Sequence, residues 1–111
     1  MKYINCTPHT INVFAPENGE QIMAVDPSGA VARVEVQPIY CSIDDATGIV
    51  YFTQNIGEII NLPEPEDDTM YIVSAQVRLA LPGRLDLASP GEEIRNEAGQ
   101  PIGCIGLYVN G

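Results

Sequence analysis

The sequence predicts an α+β fold: a β-rich single domain, 1–111, of short, mainly antiparallel strands with one short helix. Three observations predict it. Valine, isoleucine, threonine and tyrosine recur in short runs divided by 10 Gly and 9 Pro, a texture of strands and turns rather than long helices. Only one stretch, residues 74–81, follows a capping serine with a run of helix formers. At 111 residues, 45% hydrophobic and 18% charged, the chain can bury one core without disulfides or metal and lacks the charge density of a disordered segment.

Residues 2–6 and 10–14 alternate as short strands on either side of Thr7-Pro8, and the Asn18-Gly19 turn makes 10–14 and 21–25 a hairpin. After the turn at 26–29, residues 30–37 alternate with period two. Val31, Arg33, Glu35 and Gln37 share one face, and Ala32, Val34 and Val36 the other. Residues 42–48 form a turn carrying Asp44-Asp45, and 49–53 a strand. Ile56, Ile59 and Ile60 fit a helical turn, yet Asn55 and Gly57 weaken it, so 54–62 reads as irregular or a short strand. An acidic, proline-stiffened loop at 63–68 leads to a buried central strand at 70–73. Ser74 caps the helix, and Pro82-Gly83 stops it after about two turns. Residues 85–87 and 93–95 read as strand fragments around Ser89-Pro90-Gly91. After the turn at 96–99, residues 101–109 form the last strand, where Gly103 and Gly106 mark bulges or close backbone contacts.

A net charge of −10 and a pI near 4.1 disfavour binding to nucleic-acid duplexes and anionic membranes. No 18-residue apolar run or secretion signal is visible, so a cytosolic location is expected. Cys6, Cys41 and Cys104 are odd in number and widely separated, which predicts buried free thiols rather than disulfides or a zinc site. Asp44 to Asp68 contains seven acids and no base, but their spacing matches no EF-hand loop; a solvated acidic surface is the expectation, with no metal and no cofactor.

Three of the five basic residues, Arg78, Arg84 and Arg95, fall within 18 positions. Arginine's planar fork grips phosphate or carboxylate through paired hydrogen bonds, so convergence would make an anion site. The opposing expectation pairs Arg84 with Asp86, Arg95 with Glu93 or Glu97, and Arg78 with the acidic loop. Amides at a helix start near Ser74 would assist an anion, while His9 and Tyr71 could place a base or ribose. His9 beside Cys6 lacks the sequence context of a nucleophile, so no enzyme is expected.

The blocks Asn5-Cys-Thr-Pro-His9-Thr-Ile11, Leu62-Pro-Glu-Pro65, Tyr71-Ile-Val-Ser74, Pro82-Gly-Arg84-Leu-Asp86, Ile94-Arg95 and Gly99-Gln-Pro-Ile-Gly-Cys104 cover most of the chain. Together they resemble small, largely uncharacterised proteins of bacteriophages and prophages. The resemblance implies a phage context, in the host cytosol, in which some small proteins are sponges for the nucleotide signals of defence systems such as Thoeris and CBASS. The leading expectation is a non-enzymatic protein, homo-oligomeric, that sequesters a small phosphorylated, nucleotide-derived ligand. Its rivals are an acidic protein-protein interaction module that inhibits a host protein and a phage structural or assembly protein.

Overall fold

The computed structural model describes the backbone of residues 1–111 and every side chain except that of Ile56. Nine elements follow in order: β1 (Lys2–Asn5), β2 (Ile11–Phe14), β3 (Gln21–Val25), β4 (Arg33–Ile43), β5 (Val50–Ile60), β6 (Thr69–Ile72), α1 (Ala75–Ala80), β7 (Leu87–Arg95) and β8 (Pro101–Val109). The α+β expectation is thereby corrected to a β-rich fold. Ser74 does cap α1, accepting a hydrogen bond from the Val77 amide at 3.3 Å, but the helix ends after six residues. Fewer than two turns cannot form a layer of their own.

Six strands form one sheet in the order β1-β6-β7-β8-β2-β3. Pairings β1–β6, β6–β7 and β2–β8 are parallel, whereas β7–β8 and β2–β3 are antiparallel, so the sheet is mixed, with parallel neighbours that the expectation of mainly antiparallel strands did not place. Its two edge strands meet. Asn5 forms a parallel bridge with Pro27, and the Asn5 carbonyl accepts from the Ser28 amide at 2.9 Å and its hydroxyl at 2.7 Å. The Asn5 side-chain amide donates to the carbonyls of Val25 and His9 at 2.8 and 2.7 Å, and its oxygen accepts from the amide and hydroxyl of Thr7. Asn5 therefore rolls the sheet towards a closed barrel and removes an edge that would otherwise be open to pairing.

One face of the sheet packs under α1 and the foot of the β4–β5 hairpin, with Cys6, Ala32, Tyr71, Val73, Val77 and Leu87 as its buried core and Val34 and Ile59 packed against it. Val13, Ile72 and Ala88 are also buried. Tyr3, Ile22, Met23, Met70, Leu107 and Val109 border an apolar hollow of about 390 Å³ beside Val13 and Ala88.

β4 and β5 pair only with each other, as an antiparallel ribbon of two 11-residue strands. At about 3.3 Å per residue each strand spans roughly 36 Å. The ribbon is an arm. The Cα radius of gyration is 17.4 Å, against about 13 Å for a compact chain of this length. Residues 54–60, expected to be irregular or a short strand, complete β5, and 33–43 run unbroken through Pro38. Pro38 is tolerated because every strand of a two-stranded ribbon is an edge strand. The fragments around Pro90 likewise join into one β7. Its pairing with β6 stops at Ala88, so Pro90 lies where β7 has lost one neighbour. No helix is long and apolar enough to cross a membrane among the described residues.

Candidate functional site

Each of the three arginines is bound by the protein's own groups. Arg84 grips Asp86 through Nε at 3.0 Å and Nη2 at 2.6 Å, donates to the Pro63 carbonyl and lies over the Tyr71 ring. This pairing holds the Asp86 carboxyl below its usual range and, through the same hydrogen bonds, raises Arg84 above its own. Arg78 donates to the Ser89 hydroxyl at 2.8 Å and to Asn110, with its guanidinium over Tyr108. Arg95 bridges Glu93 and the Gly99 carbonyl at the β7–β8 turn, where its side chain is 57% exposed.

The arginines do not face one cavity. Ser89, which anchors Arg78, lies six residues before Arg95 on β7, roughly 20 Å along an extended strand. Arg78 and Arg84 are instead tied to the fold through Asn110, whose amide donates to the carbonyls of Arg78, Leu81 and Arg84 at 3.0–3.1 Å. As the alternative to convergence the sequence pointed to Arg84 with Asp86, Arg95 with Glu93 or Glu97, and Arg78 with the acidic loop; Asp86 and Glu93 are the partners found, but Arg78 binds Ser89 and Asn110 and not the loop. The sequence did not point to Asn110.

Tyr71 is 1% exposed and its hydroxyl donates to the Glu64 carbonyl at 2.8 Å. Burial chiefly raises its ionisation range, and its ring is a core wall, not a stacking surface for a ligand. Ser74 spends its hydroxyl on the cap. His9 alone of the six expected ligand residues opens onto a groove, about 540 Å³, shared with Thr10, Asn12, Pro90, Glu93 and Ile102. Gly91 and Gly103 also line it, and both allow close approach: a Cβ on Gly91 would meet the Ile105 carbonyl, and one on Gly103 the Asn12 carbonyl at 2.6 Å and the Phe14 ring. Among the described residues no group of three or more His, Cys, Asp or Glu is placed to hold a metal ion.

The arm presents a different surface. Ile39, Tyr40, Ile43, Ile49, Val50, Tyr51 and Phe52 are all exposed, Tyr40 at 62% and Phe52 at 58%. The register pairs Tyr40 with Phe52 and Ile43 with Val50, with a shift between Tyr40 and Ser42. That shift matters for facing. Three steps from Tyr40 to Ile43 oppose two from Phe52 to Val50, so the bulge re-aims Ile43 onto the face of Tyr40 and Phe52. The same face continues inward through Pro38 and Val36 to Val34, which is seated on the core. Arg33, Glu35 and Gln37 occupy the opposite face, as the alternation predicts.

The acids do not make one continuous negative face. Asp44 folds back on the arm's tip turn, accepting from the Ala46 amide and the Thr47 hydroxyl. Residues 64–68 follow the arm's foot, where Asp68 pairs with the N-terminal ammonium at 2.9 Å. Cys41 is exposed on the arm, contrary to the expectation of three buried thiols, whereas Cys6 and Cys104 are buried. Burial is the main cause raising the Cys6 thiol's ionisation range. No family model matches the chain, and no match was found among curated proteins or solved structures.

Proposed function

We propose that this protein works by binding, without catalysis, and that it docks a protein partner through the apolar face of its β4–β5 arm. The observation that carries this reading is the run of large apolar side chains held out in water at Tyr40, Ile43, Val50 and Phe52. An isolated two-stranded hairpin is marginal in water, and an exposed apolar patch rimmed by polar groups is the usual mark of an interaction surface. In the phage setting that the resemblance implies, this favours the interaction-module and assembly readings over the sponge. The test is a photo-crosslinking residue placed at Ile43, on the apolar face, in the full chain expressed in a bacterial host. A discrete protein adduct that disappears with Tyr40→Ser/Phe52→Ser is expected; no adduct would refute the reading.

A second reading, capture of a small phosphorylated, nucleotide-derived ligand, is supported by the His9 groove, whose volume of about 540 Å³ falls in the range of small-molecule sites. Glu93 on its wall opposes an anion, and none of the three arginines lines it. Calorimetric titration with cyclic dinucleotides, cyclic ADP-ribose isomers and ADP-ribose tests it. Binding abolished by His9→Ala would support this reading, and absence of heat with all of them would remove it.

A further inference from the structure

Resting on the arm as the docking surface, we propose that its partner is a second copy of this chain, packed arm against arm in antiparallel fashion with the Tyr40–Phe52 faces in contact. The face through Val36, Tyr40, Ile43, Val50 and Phe52 is mainly apolar, whereas the opposite face mixes Arg33, Glu35 and Gln37 with Ile39 and Tyr51; the apolar face is half of a β-sandwich. The missing half must be a second sheet about 10 Å away, and an identical arm supplies it with matching length and pattern. Such an isologous pair uses the same patch on both copies, the geometry of most homodimers.

Charge selects this occupant. Each chain carries −10, so two copies can meet only where neither is charged and where their bodies stay apart. The contact face, from Val36 through Pro38, Tyr40, Ile43, Val50 and Phe52, has no ionisable carboxylate or base; Arg33 and Glu35 point the other way. Antiparallel arms put the two bodies at opposite ends of a ribbon roughly 36 Å long, several Debye lengths apart at physiological salt, where the screening length is about 8 Å; only the Asp44-Asp45 tip of each copy comes beside the partner arm's foot, a like-charge contact that salt screens. A basic host protein would instead need carboxylates at the contact, and this face offers it none.

Area is consistent with a stable pair. Tyr40, Ile43, Val50 and Phe52 are 40–62% exposed. Together with Val36 and Pro38 they would bury on the order of 500 Å² of apolar surface per copy, the core of an interface whose usual size is about 800 Å² per partner.

Analytical ultracentrifugation of the purified full chain, from about 1 to 200 μM, decides the matter. The wild type is expected to sediment as a dimer of twice 12.0 kDa, and to hold together as salt rises, because the contact is apolar. Tyr40→Ser/Phe52→Ser should sediment as a monomer with an unchanged circular dichroism spectrum, while Arg33→Ala on the opposite face should remain dimeric. Spin labels on the exposed Cys41 provide a check that needs no change to the apolar face: the antiparallel overlap places the two labels within roughly 30 Å. A wild type that is monomeric throughout overturns the self-pairing but leaves the arm as a docking surface, to be judged by the crosslinking experiment. A dimer that survives Tyr40→Ser/Phe52→Ser, or labels much farther apart than this, shows that copies meet elsewhere and equally overturns it.

Discussion

Asp86 and Asn5 show how single side chains hold this chain together. The partly buried Asp86 carboxylate takes two hydrogen bonds from Arg84, and its depressed ionisation makes the pair's contribution pH-dependent. Because the folded-state value lies below the unfolded one, that contribution is complete above the usual carboxylate value of 3.8 and is lost as the pH falls through the folded-state value. Asp86→Asn is expected to lower stability by about 2 kcal/mol at pH 7. Urea titrations at pH 7 and in progressively stronger acid should show the gap to wild type shrinking as the Asp86 carboxylate takes up its proton. Asn5 is buried and engages His9, Val25 and Thr7 at once. Asn5→Ala takes a donor from the Val25 carbonyl and the acceptor from the Thr7 amide, and should cost about 3 kcal/mol in the same titration. By contrast, Arg95→Ala should change stability by no more than about 0.5 kcal/mol, since its pair with Glu93 is exposed.

At the scale of elements, close strand approach makes glycine obligatory in two places. Gly91 lies against the carbonyls of Ile105 and Gly106, and Gly103 against Asn12 and Phe14. Gly91→Ala must push β8 away from β7 and is expected to lower the melting temperature by 5 °C or more, about 1–3 kcal/mol for a domain of this size. The arm's thiol is a second readout: one equivalent, Cys41, should react with Ellman's reagent in the native state, and Cys6 and Cys104 only on unfolding. These elements differ in how far the sequence announces them. The Ser74 cap, the Pro82-Gly83 stop and the polar and apolar faces around Arg33 and Val34 depend on neighbours in the chain, and local pattern reveals them. The arm was hidden because Pro38, Asn55 and Gly57 look like breaks, and what makes them harmless is an open edge that only the topology defines. The parallel pairing of β1 with β6, across more than sixty residues, leaves no local mark at all. Nor does Asn110, which anchors three carbonyls from 26 to 32 residues away.

Taken whole, the molecule is a rolled sheet with a lever attached, 54 × 39 × 26 Å across. Since only the arm's foot contributes to the core, replacing residues 38–54 with an Asn-Gly turn should leave the body folded. Small-angle scattering would then show the radius of gyration falling from about 17 Å towards the 13 Å of a compact chain. A collapsed circular dichroism spectrum in that variant would mean instead that the body depends on the arm. The roll has a consequence for how the chain is made. β2 leaves the ribosome early, but its neighbour β8 is the last strand, and Asn12 meets Cys104 across 92 positions. β1 must likewise wait for β6. The sheet therefore cannot assemble until β6 and β8 have been made, and at ordinary translation speeds β1 and the β2–β3 hairpin wait seconds for their neighbours, a window in which a chaperone has something to hold.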